Sequence, residues 1–249
     1  VSLISRGMRV LRNRIAVCSQ PGCAIEDKLG QGRCGWRSSY LISWRGRGKL
    51  KAAVFREARV PFEVHDFPVS DPGPGMAVVC LECSGICGTD VHIYEGAIEF
   101  AGPIVLGHEF IGRVQDLGGG EHRDCLGRSL AVGDRVAVNV IEPCGRCLLC
   151  NEGGSASCLK LGESLVYTKS AMEPPHFHGG FAEVTMVPTR YLQKIPEAIP
   201  TNVAAAFLCA GPTVLRGLAY AGDVQPGQHV VVQGAGPVGL FGVLYAKWR

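Results

Sequence analysis

No run of eighteen or more uninterrupted apolar residues occurs in this 249-residue sequence, so no membrane-spanning helix is expected. Even the apolar stretch from His229 to Trp248 is broken by Gly234, Gly236, Pro237, Gly239 and Gly242. A secretory signal, with its apolar core and small-residue cleavage site, is not found either. That absence, together with the size of the chain, argues against reading the twelve cysteines as a secreted disulfide framework. A reducing cytoplasm is the expected setting, where clustered thiols more often hold metal or do redox chemistry. Charge is sparse, at 19% against 47% hydrophobic residues, which is the composition of a globular chain with a real core.

Acidic residues are nearly missing from the first 49 positions, where Glu26 and Asp27 face ten Lys/Arg for a balance of +8. The remaining 200 residues hold 15 Lys/Arg against 20 acids, a balance of −5. Stretches such as "SRGMRVLRNR" and "WRGRGK" keep no helical or strand period. A nucleic-acid arm, an organellar transit peptide and an unstructured or spurious extension all fit this texture, and residues 1–48 are assigned to the last.

From Lys49 the pattern turns to short β-rich runs: "KAAVF", "FEVHDFPV", "MAVVCLECS", "IVLGHEFIGRVQ", "DRVAVNV" and "FAEVTMV". Gly, Pro and Asp punctuate them, which implies a barrel or sandwich-like domain over 49–210. "TNVAAAFLCAG" and "PTVLRGLAYAG" are helical in character, the second opening at Pro212. "GQHVVVQGAGPVG" then reads as a strand, a glycine turn and a helix start, so residues 211–249 are assigned to the beginning of a second, α/β domain that is cut off.

Four cysteines crowd the lobe 144–158. Cys144, Cys147, Cys150 and Cys158 are spaced by 3, 3 and 8, which lets a small loop wrap four thiolates around one tetrahedral zinc. Such a site has no open position, so its zinc would stabilise structure and catalyse nothing. A nucleic-acid zinc ribbon would show basic and aromatic residues among the cysteines, and only Arg146 qualifies.

A second constellation is spread out: Cys87, Thr89, Asp90 and His92 in "GICGTDVH", His108 and Glu109 in "GHEFIG", and Cys209 in "FLCAGPT". One imidazole and two thiolates would make a three-ligand zinc set with an open fourth position, the pattern of a catalytic site. Taken singly, each of these residues equally fits a core position. The third feature is the G-x-G-x-x-G of Gly234, Gly236 and Gly239, whose glycines allow a tight turn, a close pyrophosphate and helix packing.

With "VGDRV", "GGFAE" and "LCAGPTV" added, these stretches together make the sequence from about Leu50 onward resemble the zinc-containing medium-chain dehydrogenase/reductase family of alcohol, polyol and threonine dehydrogenases. The resemblance implies a GroES-like barrel catalytic domain followed by the start of a Rossmann domain, truncated. It implies Cys87, His108 and Cys209 as catalytic zinc ligands, with Glu109 near the metal and Asp90 orienting His108. Thr89 and His92 are implied as a proton relay. Gly234, Gly236, Pro237, Val238 and Gly239 are implied as the cofactor turn, with Thr213 beside the nicotinamide. Gly88 stands where some family members carry a basic residue for the cofactor pyrophosphate.

The expected function is hydride transfer between an alcohol or polyol, or the matching carbonyl, and NAD or NADP, with one catalytic and one structural zinc. A zinc-stabilised binding module, or a reductase relative without this activity, is the alternative. The expected partner is a small molecule, with no nucleic acid or membrane, and the full-length protein is expected to be a homo-oligomer. These 249 residues alone are expected to be an inactive fragment that binds NAD(H) only weakly.

Overall fold

The nine residues Met76–Ser84, almost all apolar, form β3, and their place in the sheet explains that composition. β3 is flanked on both sides in a five-stranded sheet ordered β7-β3-β5-β6-β8, with β5 at Phe110–Leu117, β6 at Arg135–Val138, β7 at Val184–Pro188 and β8 at Leu192–Lys194. A three-stranded sheet, ordered β2-β1-β4, holds β1 at Lys49–Phe55, β2 at Glu63–Pro68 and β4 at Ile104–Val105. All pairings are antiparallel. This computed structural model describes residues 48–139, 141, 143–154, 157–160 and 169–249. The basic extension and its Cys18, Cys23 and Cys34 lie outside the described residues.

The two sheets are stitched together by the segment before β7. Ala53 N–H donates to Phe181 O at 2.8 Å, and Glu183 N–H donates to Lys51 O at 2.9 Å. Around this seam Val54, Phe55, Val105, Leu106, Phe177 and Phe181 form the main apolar cluster, each almost fully buried. A second cluster lies around Val79, Phe110, Val136 and Leu192. Burying a side chain such as Phe110 contributes about 1.5–3 kcal/mol. The two clusters fix the frame on which the functional side chains stand.

Among the described residues, five α-helices follow the strands or interrupt them: α1 Gly88–Glu95, α2 Leu148–Asn151, α3 Thr201–Ala206, α4 Ala210–Tyr220 and α5 Pro237–Trp248. Ala204 and Ala205 of α3 pack with Cys83, Ile111 and Ala137, so small residues let the helix sit close on the sheet. Arg135, buried within β6, holds the approach to α3 by donating to Pro196 O, Ile199 O and Thr201 Oγ1 at 3.1, 2.7 and 3.0 Å.

Three local expectations are corrected. "IVLGHEFIGRVQ" is two strands in different sheets, because the chain turns at Gly107, whose φ is +89°. The helix expected from Pro212 starts at Ala210; Pro212 is its third residue, still in the first turn, where no backbone N–H is needed. The strand expected over "HVVVQ" does not form. No described strand lies beside it to share ladder hydrogen bonds, and Val231 is 94% exposed.

Candidate metal centres and cofactor turn

Cys87 caps α1 in an extended conformation, with φ −82° and ψ 157°. Its N–H donates to Asp90 Oδ2 at 2.9 Å, so the aspartate closes the first turn of the helix over the cysteine. The same carboxylate reaches the break between β4 and β5. Oδ1 accepts from Gly107 N–H at 3.3 Å and stands 3.4 Å from His108 Nδ1. Asp90 is buried, and so is most of the imidazole. One carboxylate therefore fixes both the thiol and the ring.

Gly107 makes that arrangement possible. A Cβ there would stand 2.6 Å from the Phe181 ring, and its positive φ disfavours any side chain. Cys209 arrives from far along the chain as the cap of α4, and its Sγ lies 3.9 Å from Cys87 Sγ. The donor atoms of Cys87, His108, Glu109 and Cys209 all lie within 4.8 Å of one another.

The four groups perturb one another strongly. Hydrogen bonds with the Cys209 thiol and then with His108 pull the Cys87 thiol down to about 3. The Cys87 thiolate, followed by burial, pushes Cys209 well above the usual thiol range. Burial opposes charge on His108, but hydrogen bonds to Asp90 and Cys87 outweigh it and raise the ring to about 10. Burial and then the Cys87 charge lift Glu109 to about 7. Two thiolates this close repel each other, and a divalent cation between them removes the repulsion. Two sulfurs and one nitrogen are the donor chemistry that zinc prefers, so these residues fit that metal.

Thr89 Oγ1 lies 3.7 Å from Cys87 Sγ, at the edge of the cluster. His92 is exposed one turn further along α1, and its carbonyl accepts from Ala97 and Ile98 N–H at 2.8 and 3.2 Å. Thr213, on the first turn of α4, donates its hydroxyl to Cys209 O at 2.7 Å.

The cysteine lobe is a separate cluster. Cys147 Sγ lies 3.4 Å from Cys150 Sγ and 4.0 Å from Cys158 Sγ, and all four sulfurs lie within 4.8 Å of one another. Cys147 caps the short α2, while Gly145 and Gly153 turn the chain at φ +69° and +81°. Backbone N–H groups of Cys144 and Lys160 donate to Cys158 Sγ at 3.2 and 3.4 Å. Backbone N–H groups of Leu159 and Cys150 lower the Cys147 thiol to about 6, and partial burial together with that neighbour raises Cys150 to about 12. The lobe fits a closed four-sulfur zinc site.

At the glycine turn, Gly234 has φ +100° and Gly236 caps α5, with Pro237 and Val238 as its first residues. A Cβ at Gly239 would stand 2.0 Å from Gly234 O, so only glycine permits this approach of turn and helix. Among the described residues, the other histidines and cysteines stay outside both clusters. His176 stacks on Phe67 with 4.7 Å between ring centroids, His178 is fully buried, Cys83 packs with Ala204 and Ala205 of α3, and Cys125 is exposed. Sequence reasoning passed over two residues of the first site. Gly85 and Gly107 carry no donor atom, and their one signal is a glycine close before each ligand, in "SGIC" and "LGHE".

Among known proteins, the alcohol dehydrogenase GroES-like domain matches residues 73–197. The 5-exo-hydroxycamphor dehydrogenase of Pseudomonas putida is 39% identical over 203 residues, covering 78% of this chain and 52% of that protein. The crystal structure of an alcohol dehydrogenase from Thermotoga maritima superposes with a TM-score of 0.74 at 32% identity, covering 80% of this chain and 55% of that one. An acetophenone reductase from Geotrichum candidum, solved in complex with NAD, gives a TM-score of 0.66 at 28% identity, covering 81% and 55%. The chain spans about half the length of the curated relatives it matches.

Proposed function

The chain belongs to the zinc-containing medium-chain dehydrogenase/reductase family, carrying its alcohol dehydrogenase GroES-like domain, and we propose that the whole protein moves hydride between an alcohol or polyol, or the matching carbonyl, and NAD or NADP. The observation that carries this reading is the meeting of Cys87, His108, Glu109 and Cys209 donor atoms within 4.8 Å. Zinc held there would supply a Lewis acid that polarises the substrate oxygen. A nicotinamide would supply the hydride acceptor.

The chain's own residues do the rest. Cys87, His108 and Cys209 would hold the metal, and as three of the four donors zinc takes they would leave one for substrate, with the Glu109 carboxylate among the same converging atoms. Asp90 faces Nδ1 of His108 and so leaves the other ring nitrogen to ligate. Thr89, beside the thiol, takes the hydroxyl proton of the substrate, and exposed His92 passes it to solvent. Gly234, Gly236 and Gly239 let a cofactor pyrophosphate approach the start of α5, with Thr213 next to Cys209 on the nicotinamide side. The four-sulfur lobe holds a second zinc that stabilises its loop. A cytoplasmic setting and a homo-oligomeric whole protein, without nucleic-acid or membrane partners, belong to the same proposal.

The test is reduction of NAD or NADP by the zinc-replete whole protein over a panel of primary alcohols, secondary alcohols and polyols. Turnover that disappears on metal removal is expected. A folded protein with both zincs in place, yet with no reduction on any alcohol or oxidation on any carbonyl, would identify a zinc-stabilised binding module instead.

A further inference from the structure

Gly85 stands two residues before the first thiol and offers no ligand atom, but its position against Glu109 is unusually close. β3 pairs with β5 at Ser84 and Phe110, and Gly85 N–H then donates to Glu109 O at 2.7 Å. That contact draws the Gly85 Cα over the glutamate side chain. A Cβ built on Gly85 would stand 2.3 Å from Glu109 Oε2, 3.1 Å from its Cβ and 3.4 Å from its Cδ. Gly85 is not among the glycines of positive φ, so its backbone suits an alanine. Space, and not conformation, is what an alanine here would contest with the Glu109 side chain.

The glutamate that fills this space is buried, and its carboxylate is one of the four groups that converge within 4.8 Å. Its backbone is held by the contact with Gly85, so a methyl group at 85 leaves only the side-chain torsions free to adjust. The carboxylate would then leave its present place relative to the two sulfurs and the imidazole. We propose that Gly85 is a positioning residue: its missing side chain sets where the Glu109 carboxylate stands with respect to the metal donors, and through that the hold of the site on its metal. This rests on the reading of Cys87, His108 and Cys209 as a metal centre.

The experiment compares Gly85→Ala, Glu109→Ala and the double variant with the natural protein, each loaded with zinc and challenged with a chelator. The rate of zinc release from the Cys87 site is followed with a metal-sensitive dye; the lobe serves as an internal reference. Gly85→Ala should change that rate at least about threefold when Glu109 is present and less than about 1.5-fold in the Glu109→Ala background, because two groups in contact couple and the double variant removes the contact. An equal change in both backgrounds, or none in either, overturns the proposal. Should Gly85→Ala not fold, the double variant decides: refolding through Glu109→Ala supports the contact, and failure in both backgrounds overturns it. A natural protein with no releasable zinc at this site would instead sink the metal-centre reading.

Discussion

The sulfurs of Cys87 and Cys209 lie 3.9 Å apart although 122 residues separate them in the chain. Each sits at the N-terminal cap of a helix, and the two caps reach the same point beside the break at Gly107 to Glu109. The pair shares its charge unequally, the Cys87 thiol held down and the Cys209 thiol pushed up. Two sulfurs, an imidazole and a carboxylate gathered this closely are a donor set that fits zinc.

Asp90 is buried and serves two elements at once, accepting from Cys87 and Gly107 N–H while facing His108. Asp90→Ala leaves the buried Gly107 N–H and the half-buried Cys87 N–H without this acceptor, which should lower stability by about 1–3 kcal/mol in urea titration. Asp90→Asn keeps one acceptor oxygen and should recover part of the loss. Equal stability of all three proteins would show that the carboxylate only borders the site.

Cys147 is the cap of α2 and the centre of the lobe's sulfur contacts. Cys147→Ala should release the lobe, so that limited proteolysis cuts between Cys144 and Cys158 in the variant and not in the natural protein. The Cys87 site, a separate cluster, should keep its metal. An unchanged cleavage pattern would mean that the lobe needs no metal to stay folded.

Much of this was legible from spacing. The lobe declares itself through four cysteines in fifteen residues, and the strands through short runs of Val, Ile and Phe. Spacing alone does not bring Cys209 to Cys87; that expectation came from the family resemblance carried by "LCAGPTV", and the two sulfurs do lie 3.9 Å apart. The break at Gly107 was hidden because "IVLGHEFIGRVQ" is rich in apolar residues on both sides of it, and one glycine inside such a run reads as strand. The strand expected at "HVVVQ" failed for the opposite reason, since β propensity alone makes no ladder without a neighbouring strand, and none lies beside it among the described residues.

His178 is fully buried, and its Nε2 has no hydrogen-bond partner among the described residues. Burial, followed by the charges of Lys169 and His176, holds its pKa down at about 4. The unfolded chain takes up this proton below about 6.5, and the folded protein only below about 4, so stability falls as pH drops through that window. The loss amounts to about 3 kcal/mol. In His178→Gln the stability measured at pH 4 should fall less from its neutral value than in the natural protein; an identical acid dependence would show that the histidine is not the titrating group.

His92 lies exposed on α1, outside the set of metal donors, so its removal should leave the metal bound. In the whole enzyme, His92→Ala should slow alcohol oxidation most strongly below neutral pH. Added buffer base should restore part of the rate, as expected of a lost proton relay. A pH profile matching the natural enzyme would make His92 a structural residue.

The most direct measurement is the zinc content of the purified protein, natural and Cys87→Ala, before and after dialysis against a chelator. Two clusters of donors within 4.8 Å predict two zinc ions per chain, one exchangeable and one retained. Cys87→Ala should hold only the retained ion, with the lobe still folded. One zinc in the natural protein and the same count in Cys87→Ala would contradict the assignment of Cys87, His108 and Cys209 as a metal centre.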